Sequence, residues 1–136
     1  MYKALFFTLD DKNAVTFAGK RQSKDIKVAQ KMCEFMSGTP LAIKAKSANF
    51  FEGVDIPLVT VDNFVDDRED TPTAFCEEIP SQEVLDNALV LIVFRWNRNY
   101  PSLTNERLNL NGYSKTFVEE FAGNSHEKIT VEVYNK

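Results

Sequence analysis

Histidine and tryptophan each occur once in this 136-residue chain, and cysteine twice. A lone His126 excludes a metal site built from several histidines. Cys33 and Cys76 lie far apart with no Cys-x-x-Cys spacing, which argues against a zinc ribbon or a disulfide framework and predicts a reduced, cytoplasmic setting. Glycine and proline are also scarce, at five each. No glycine falls in a GxGxxG turn, a GxxxxGK[ST] loop or a GxSxG elbow, and there is no HExxH helix. Long apolar runs are missing too. The longest, Ala88–Phe94, is far short of the roughly 20 residues that span a bilayer. The amino-terminal apolar stretch is interrupted by Thr8 and lacks a small-residue cleavage site, so neither a signal peptide nor a membrane partner is expected.

What is present describes an ordinary globular chain. Hydrophobic residues make up 43% and charged residues 26%, a balance that favours one folded domain over residues 1–136 rather than disorder. Eleven phenylalanines predict a core built on large rings. The net charge of −4 disfavours broad nucleic-acid binding, which needs a basic surface.

Hydrophobic periodicity predicts a strand near residues 3–9, followed by a second strand over Ala14–Ala18 that closes a hairpin with it. A helix near residues 24–36 carries Val28, Ala29, Met32, Phe35 and Met36 on one face, with Ser23 as its N-cap and Gly38 as its left-handed C-cap. Short strands are predicted at 41–45, 58–61 and 73–77, a helical turn at 47–51, and a short helix from Pro80–Ser81 to Asn87. Residues 88–94 read as a strand covered on both faces. Ser114 is expected to cap a helix over 115–121, and 128–134 to form a half-buried strand. The fold class is therefore α/β, with α+β as the alternative: a mixed sheet with central strands near 3–9 and 88–94.

Four places carry candidate chemistry. Arg95, Trp96, Arg98 and Tyr100 follow the apolar run at a point where a buried strand passes into a loop. The arginines suit bidentate pairing with phosphate or carboxylate, and the rings suit stacking; the plainer reading is the end of the core with structural ion pairs. His126, beside Glu127, is a candidate general acid or base, although neighbours on a strand point to opposite faces and a loop histidine often only caps backbone. The acidic stretch Asp62–Asp70 has the charge for a hard cation or a basic partner, but not EF-hand spacing, so a solvated loop is the simpler account. Lys20 and Arg21, in Gly19–Ser23 ahead of the first helix, suit an anion site, although a solvated helix face is the plainer reading.

Two segments, FRWNRNYPS and EEFAGNSHEKIT, resemble a group of small, uncharacterised bacterial proteins that carry a Trp-Asn-Arg-x-Tyr-Pro segment and a later Gly-x-Ser-His-Glu-Lys segment. The GKRQSKD run is similar as well. Such proteins are sometimes labelled ribonuclease Z, but that activity implies a histidine-rich zinc motif, which one histidine does not supply. The resemblance therefore implies no mechanism.

The sequence favours a binding or regulatory module using Arg95, Trp96, Arg98 and Tyr100, with no cofactor implied and the partner left open between a phosphate-bearing ligand and a protein. The alternatives are an enzyme acting on RNA or a nucleotide with His126 as acid or base, and an inhibitor-type protein docking through its acidic loop.

Overall fold

In the computed structural model, which describes residues 2–17, 19–36, 38–64, 71–100 and 106–136, the strand at the amino end lies at the middle of the sheet. This is β1 (Ala4–Leu9), and every residue from Leu5 to Leu9 is buried. A strand without a polar face must be covered on both sides, and the rest of the chain supplies that cover. After β1 come a small hairpin, β2 (Thr16–Phe17) with β3 (Lys20–Arg21), then α1 (Ile26–Phe35), β4 (Leu41–Ile43) and a 3-10 helix over Ala45–Phe51. The chain continues through β5 (Leu58–Thr60), β6 (Thr73–Cys76), α2 (Gln82–Asn87), β7 (Val90–Arg95), β8 (Ser114–Phe121) and β9 (Ile129–Asn135).

The large sheet has seven strands in the order β5-β4-β6-β1-β7-β9-β8. The five from β5 to β7 are parallel, and β9 enters antiparallel between β7 and β8. Side-chain alternation sorts the core into two layers. Leu5, Phe7, Leu9, Leu91 and Val93 pack with Val84 of α2 on one face. On the other face, Phe6, Phe75, Ile92 and Phe94 pack with Val28, Ala29 and Met32 of α1 and with Phe50 and Phe51. The α/β class and the central strands near 3–9 and 88–94 are as the sequence predicts.

Four local expectations are corrected. Residues 114–121 form a strand, not a helix: Lys115 to Phe121 pair with β9 around a bulge between Lys115 and Phe117. The ladder along β9 outweighs a weak helical pattern, and Thr116, Phe117 and Val118 are good strand formers. Of the strand predicted at 14–18, Thr16 and Phe17 pair with β3 rather than β1, because both edges of β1 are taken by β6 and β7; residue 18 lies outside the described residues. Helix α1 is capped by Asp25, which accepts from Lys27 N at 2.8 Å, not by Ser23, and its C-cap is Met36, although Gly38 does adopt a left-handed φ of 85°. Finally, β9 is covered on both faces rather than half-buried, with Thr130 and Glu132 buried alongside Ile129 and Val131.

Candidate functional site

Because β4, β6, β1 and β7 are parallel, their carboxyl ends share one edge of the sheet. The turn at 122–128 joins that edge, since β8 runs in the same direction as β7. In open sheets of this kind ligands bind beyond the carboxyl ends of the strands. Two constellations lie there.

The first is a cleft of about 310 Å³ lined by Thr16, Gly19, Lys20, Arg21, Lys46, Asn49 and Glu77. Its walls are the β2–β3 hairpin, the 3-10 helix and the end of β6. Arg21 ties these walls together. Its guanidinium grips Glu77 in bidentate fashion, through Nε to Oε2 and through Nη2 to Oε1 at 2.6 Å. It also donates to Asn49 Oδ1 at 2.7 Å and to Lys46 O at 3.3 Å, and lies 5.5 Å from the centroid of the Phe50 ring. Its charge is thus largely spent on Glu77. Lys20 and Lys46 are exposed and, among the described residues, have no carboxylate partner. The sequence singled out Lys20 and Arg21, and the structure brings them together with three residues it gave no reason to choose: Lys46, Asn49 and Glu77.

The second constellation surrounds His126, whose imidazole stacks on Trp96 with ring centroids 4.8 Å apart and planes 28° apart. Nδ1 lies 2.9 Å from Ser125 Oγ and 3.5 Å from Asp25 Oδ2, while Nε2 lies 3.3 Å from Ser23 Oγ. Asp25 is itself anchored, accepting from Asn124 N at 2.8 Å, Ser125 N at 2.8 Å and Ser125 Oγ at 3.0 Å, in addition to its cap bond. Burial alone would push the Asp25 carboxyl up, but the converging backbone N–H groups of Asn124, Ser125 and Lys27 outweigh it and hold the group below its ordinary value. The approach is so close that only glycine fits at 123, where a Cβ would meet Asp25 Oδ2 and His126 O at 2.6 Å. Glu127 is exposed. A signal for Asp25 was present in the sequence, an acidic residue directly before the helical apolar pattern, but Ser23 two residues earlier masked it.

The remaining sequence candidates go elsewhere. Arg95 donates to Glu132 Oε1 at 2.7 Å, to Asn13 Oδ1 at 2.7 Å and to Asp10 O at 3.1 Å. Glu132 also accepts from Lys115 at 3.0 Å and Tyr134 OH at 2.9 Å, and these partners hold its carboxyl low against the upward push of burial. Trp96 is 1% exposed. Tyr100 is half-buried against Phe17, with centroids 5.4 Å apart, and Arg98 is exposed. Of the acidic stretch, residues 65–70 lie outside the described residues. No three His, Cys, Asp or Glu side chains among the described residues are grouped to hold a metal ion, and no helix there is long and apolar enough to cross a membrane.

The large sheet is mostly parallel and is finished by an antiparallel carboxy-terminal pair, with its cleft at the carboxyl edge. In this architecture the chain is similar to a solved structure of dihydrofolate reductase from Enterococcus faecalis complexed with NADP(H) and RAB-propyl. The TM-score is 0.61 at 11% identity, over 98% of this chain and 97% of that one. At that identity the likeness is one of fold. No family model and no curated protein matches the chain.

The leading expectation from the sequence is corrected by these findings. A regulatory module presenting Arg95, Trp96, Arg98 and Tyr100 is not what the fold offers: the fold is shared with a reductase, Trp96 is interior, and Arg95 is committed to Glu132. The partner expectation, left open between a phosphate-bearing ligand and a protein, is corrected with it: the structure that shares this fold is a complex with NADP(H) and RAB-propyl.

Proposed function

We propose that the chain is an enzyme that binds a nucleotide-type, phosphate-bearing ligand in the cleft at the carboxyl ends of β4 and β6. The observation that carries this reading is the pair Lys20 and Lys46, two cations without carboxylate partners among the described residues, on separate walls of a cleft whose third cation, Arg21, is neutralised by Glu77. The reductase complex with NADP(H) supports the ligand class. The donor set suits such a group: Lys20 and Lys46 would hold phosphate, while the Thr16 hydroxyl and the Asn49 amide nitrogen would serve sugar hydroxyls or a base edge. A volume of about 310 Å³ is at the small end of ligand-sized cavities, so the cleft takes a mononucleotide portion. A nicotinamide nucleotide bound there would supply hydride chemistry. The two free thiols, Cys76 buried and Cys33 partly so, suit a reducing cytoplasm.

Calorimetric titration with NADPH, NADP+, ADP and inorganic phosphate tests the reading. Saturable binding of at least one nucleotide is expected, weakened about tenfold or more (about 1.4 kcal/mol) in Lys20→Ala/Lys46→Ala, with affinity falling as salt is raised. Absence of binding by all four, or equal binding by the double variant, overturns it.

A further inference from the structure

The atoms around His126 have an order that a merely structural clasp does not require. One ring nitrogen, Nδ1, faces a buried carboxylate, Asp25 Oδ2, at 3.5 Å, with Ser125 Oγ beside it at 2.9 Å. The other, Nε2, faces the hydroxyl of Ser23 at 3.3 Å. Stacking on Trp96 fixes the plane of the ring, and three backbone N–H groups fix the carboxylate. Ser23 Oγ, the imidazole and, with Ser125 Oγ between them, the Asp25 carboxylate thus form a connected set, and such relays are recognised by geometry rather than by position in the chain.

The two serines are not equivalent. Ser125 Oγ lies 3.0 Å from both Asp25 Oδ2 and Lys24 O, acceptors that take its single proton, so it can only receive the proton on Nδ1. That tautomer leaves Nε2 bare and turned to Ser23. Ser23 Oγ has no other hydrogen bond among the described residues, is half-buried rather than enclosed, and is not needed as a helix cap, since Asp25 fills that role. Beside the ring, the buried Trp96 Nε1–H is a donor with no acceptor among the described residues.

We propose that Ser23 is an activated nucleophile, with His126 as its general base and Asp25 as the positioning residue, and that this edge of the sheet carries an acyl-transfer activity toward carboxylic esters. Ser23 Oγ adds to the ester carbonyl as its proton passes to His126 Nε2. The carbon–oxygen bond to the alcohol breaks, and that alcohol leaves with the proton from Nε2. Water then attacks the Ser23 ester, giving a proton to Nε2 that returns to Ser23 Oγ as the carboxylic acid departs. This inference stands apart from the nucleotide reading, whose groups are Lys20 and Lys46.

The test is reaction of the full chain with an alkyl fluorophosphonate, in which Ser23 Oγ displaces fluoride from phosphorus, read by intact mass and peptide mapping. One adduct per chain on Ser23 is expected, absent in Ser23→Ala and formed about 100-fold or more slowly in His126→Gln. Hydrolysis of p-nitrophenyl acetate should fall in parallel. Ser23→Ala removes a single hydrogen bond, so its unchanged melting temperature serves as the folding control. A wild-type chain that labels no faster than Ser23→Ala, or an adduct on Ser125 or elsewhere, overturns the proposal. Loss of nucleotide binding in Lys20→Ala/Lys46→Ala with Ser23 labelling intact shows that the two sites are separate.

Discussion

Arg95 shows how a residue that looks like a binding group becomes a structural one. It leaves the end of β7 and meets Glu132 on the neighbouring strand, with side chains 14% and 9% exposed. Removing one partner of such a pair strands the other as a buried charge. Arg95→Met is therefore expected to cost about 3 kcal/mol in urea denaturation, the low end for a broken buried pair because Lys115 still reaches Glu132. Arg98→Ala, on an exposed side chain, should stay within about 0.5 kcal/mol. Equal costs would mean that the Arg95 pair has been misjudged. The held-down carboxyls of Asp25 and Glu132 give a pH dependence whose sign follows directly. A group with a lower value folded than unfolded binds fewer protons when folded, so adding acid favours unfolding. Its stabilisation is complete above the unfolded value of about 4 and is lost as pH falls through the lower folded value. Melting temperature should accordingly hold from pH 7 to about 5 and then drop. Asp25→Asn should melt lower at pH 7 but show a shallower acid slope; an unchanged slope would exclude Asp25 as a contributor.

The turn between β8 and β9 works because its backbone comes down onto Asp25 at Gly123. Gly123→Ala is expected to destabilise by about 1–3 kcal/mol, as overpacking does, measured by urea midpoint at constant slope. On β8 itself, Phe117 and Val118 are 46% and 56% exposed, and Phe117→Thr should change stability by less than about 0.5 kcal/mol. These two features mark where the sequence could and could not be read. The central strands were legible because β1 and β7 are buried on both faces, which leaves a continuous apolar run. Helix α1 was legible because only one of its faces is buried. Strand β8 was not, since an exposed edge has no reason to keep a burial pattern and its strand character comes from its partner β9. The cleft was half legible: Lys20 and Arg21 stand out as a basic pair, but Glu77, Lys46 and Asn49 join them only through the pairing of β4, β6 and the hairpin. His126 drew notice for its chemistry, while its partners Ser23 and Asp25 lie about a hundred positions away in sequence and meet it only across the folded edge.

Over the whole molecule, the two core layers share one sheet, so neither can melt alone. Leu91→Ala in one layer, expected to cost about 2–5 kcal/mol, and Ile43→Val in the other, about 1 kcal/mol, should each shift a single transition without splitting it. Far-ultraviolet circular dichroism and the fluorescence of the buried Trp96 should trace the same curve. A resolved second transition in either variant would mean that the layers unfold separately.

The placement of β9 has a bearing on synthesis. A growing polypeptide emerges from the ribosome in order, yet the strand that fills the slot between β7 and β8 follows both of them in the chain. Until residues 129–135 are clear of the exit tunnel, β7 has one bare edge, β8 has nothing to pair with, and the Trp96 ring lacks the histidine that covers it. A nascent chain is thus held open, the edges of β7 and β8 unpaired, until translation has passed β9.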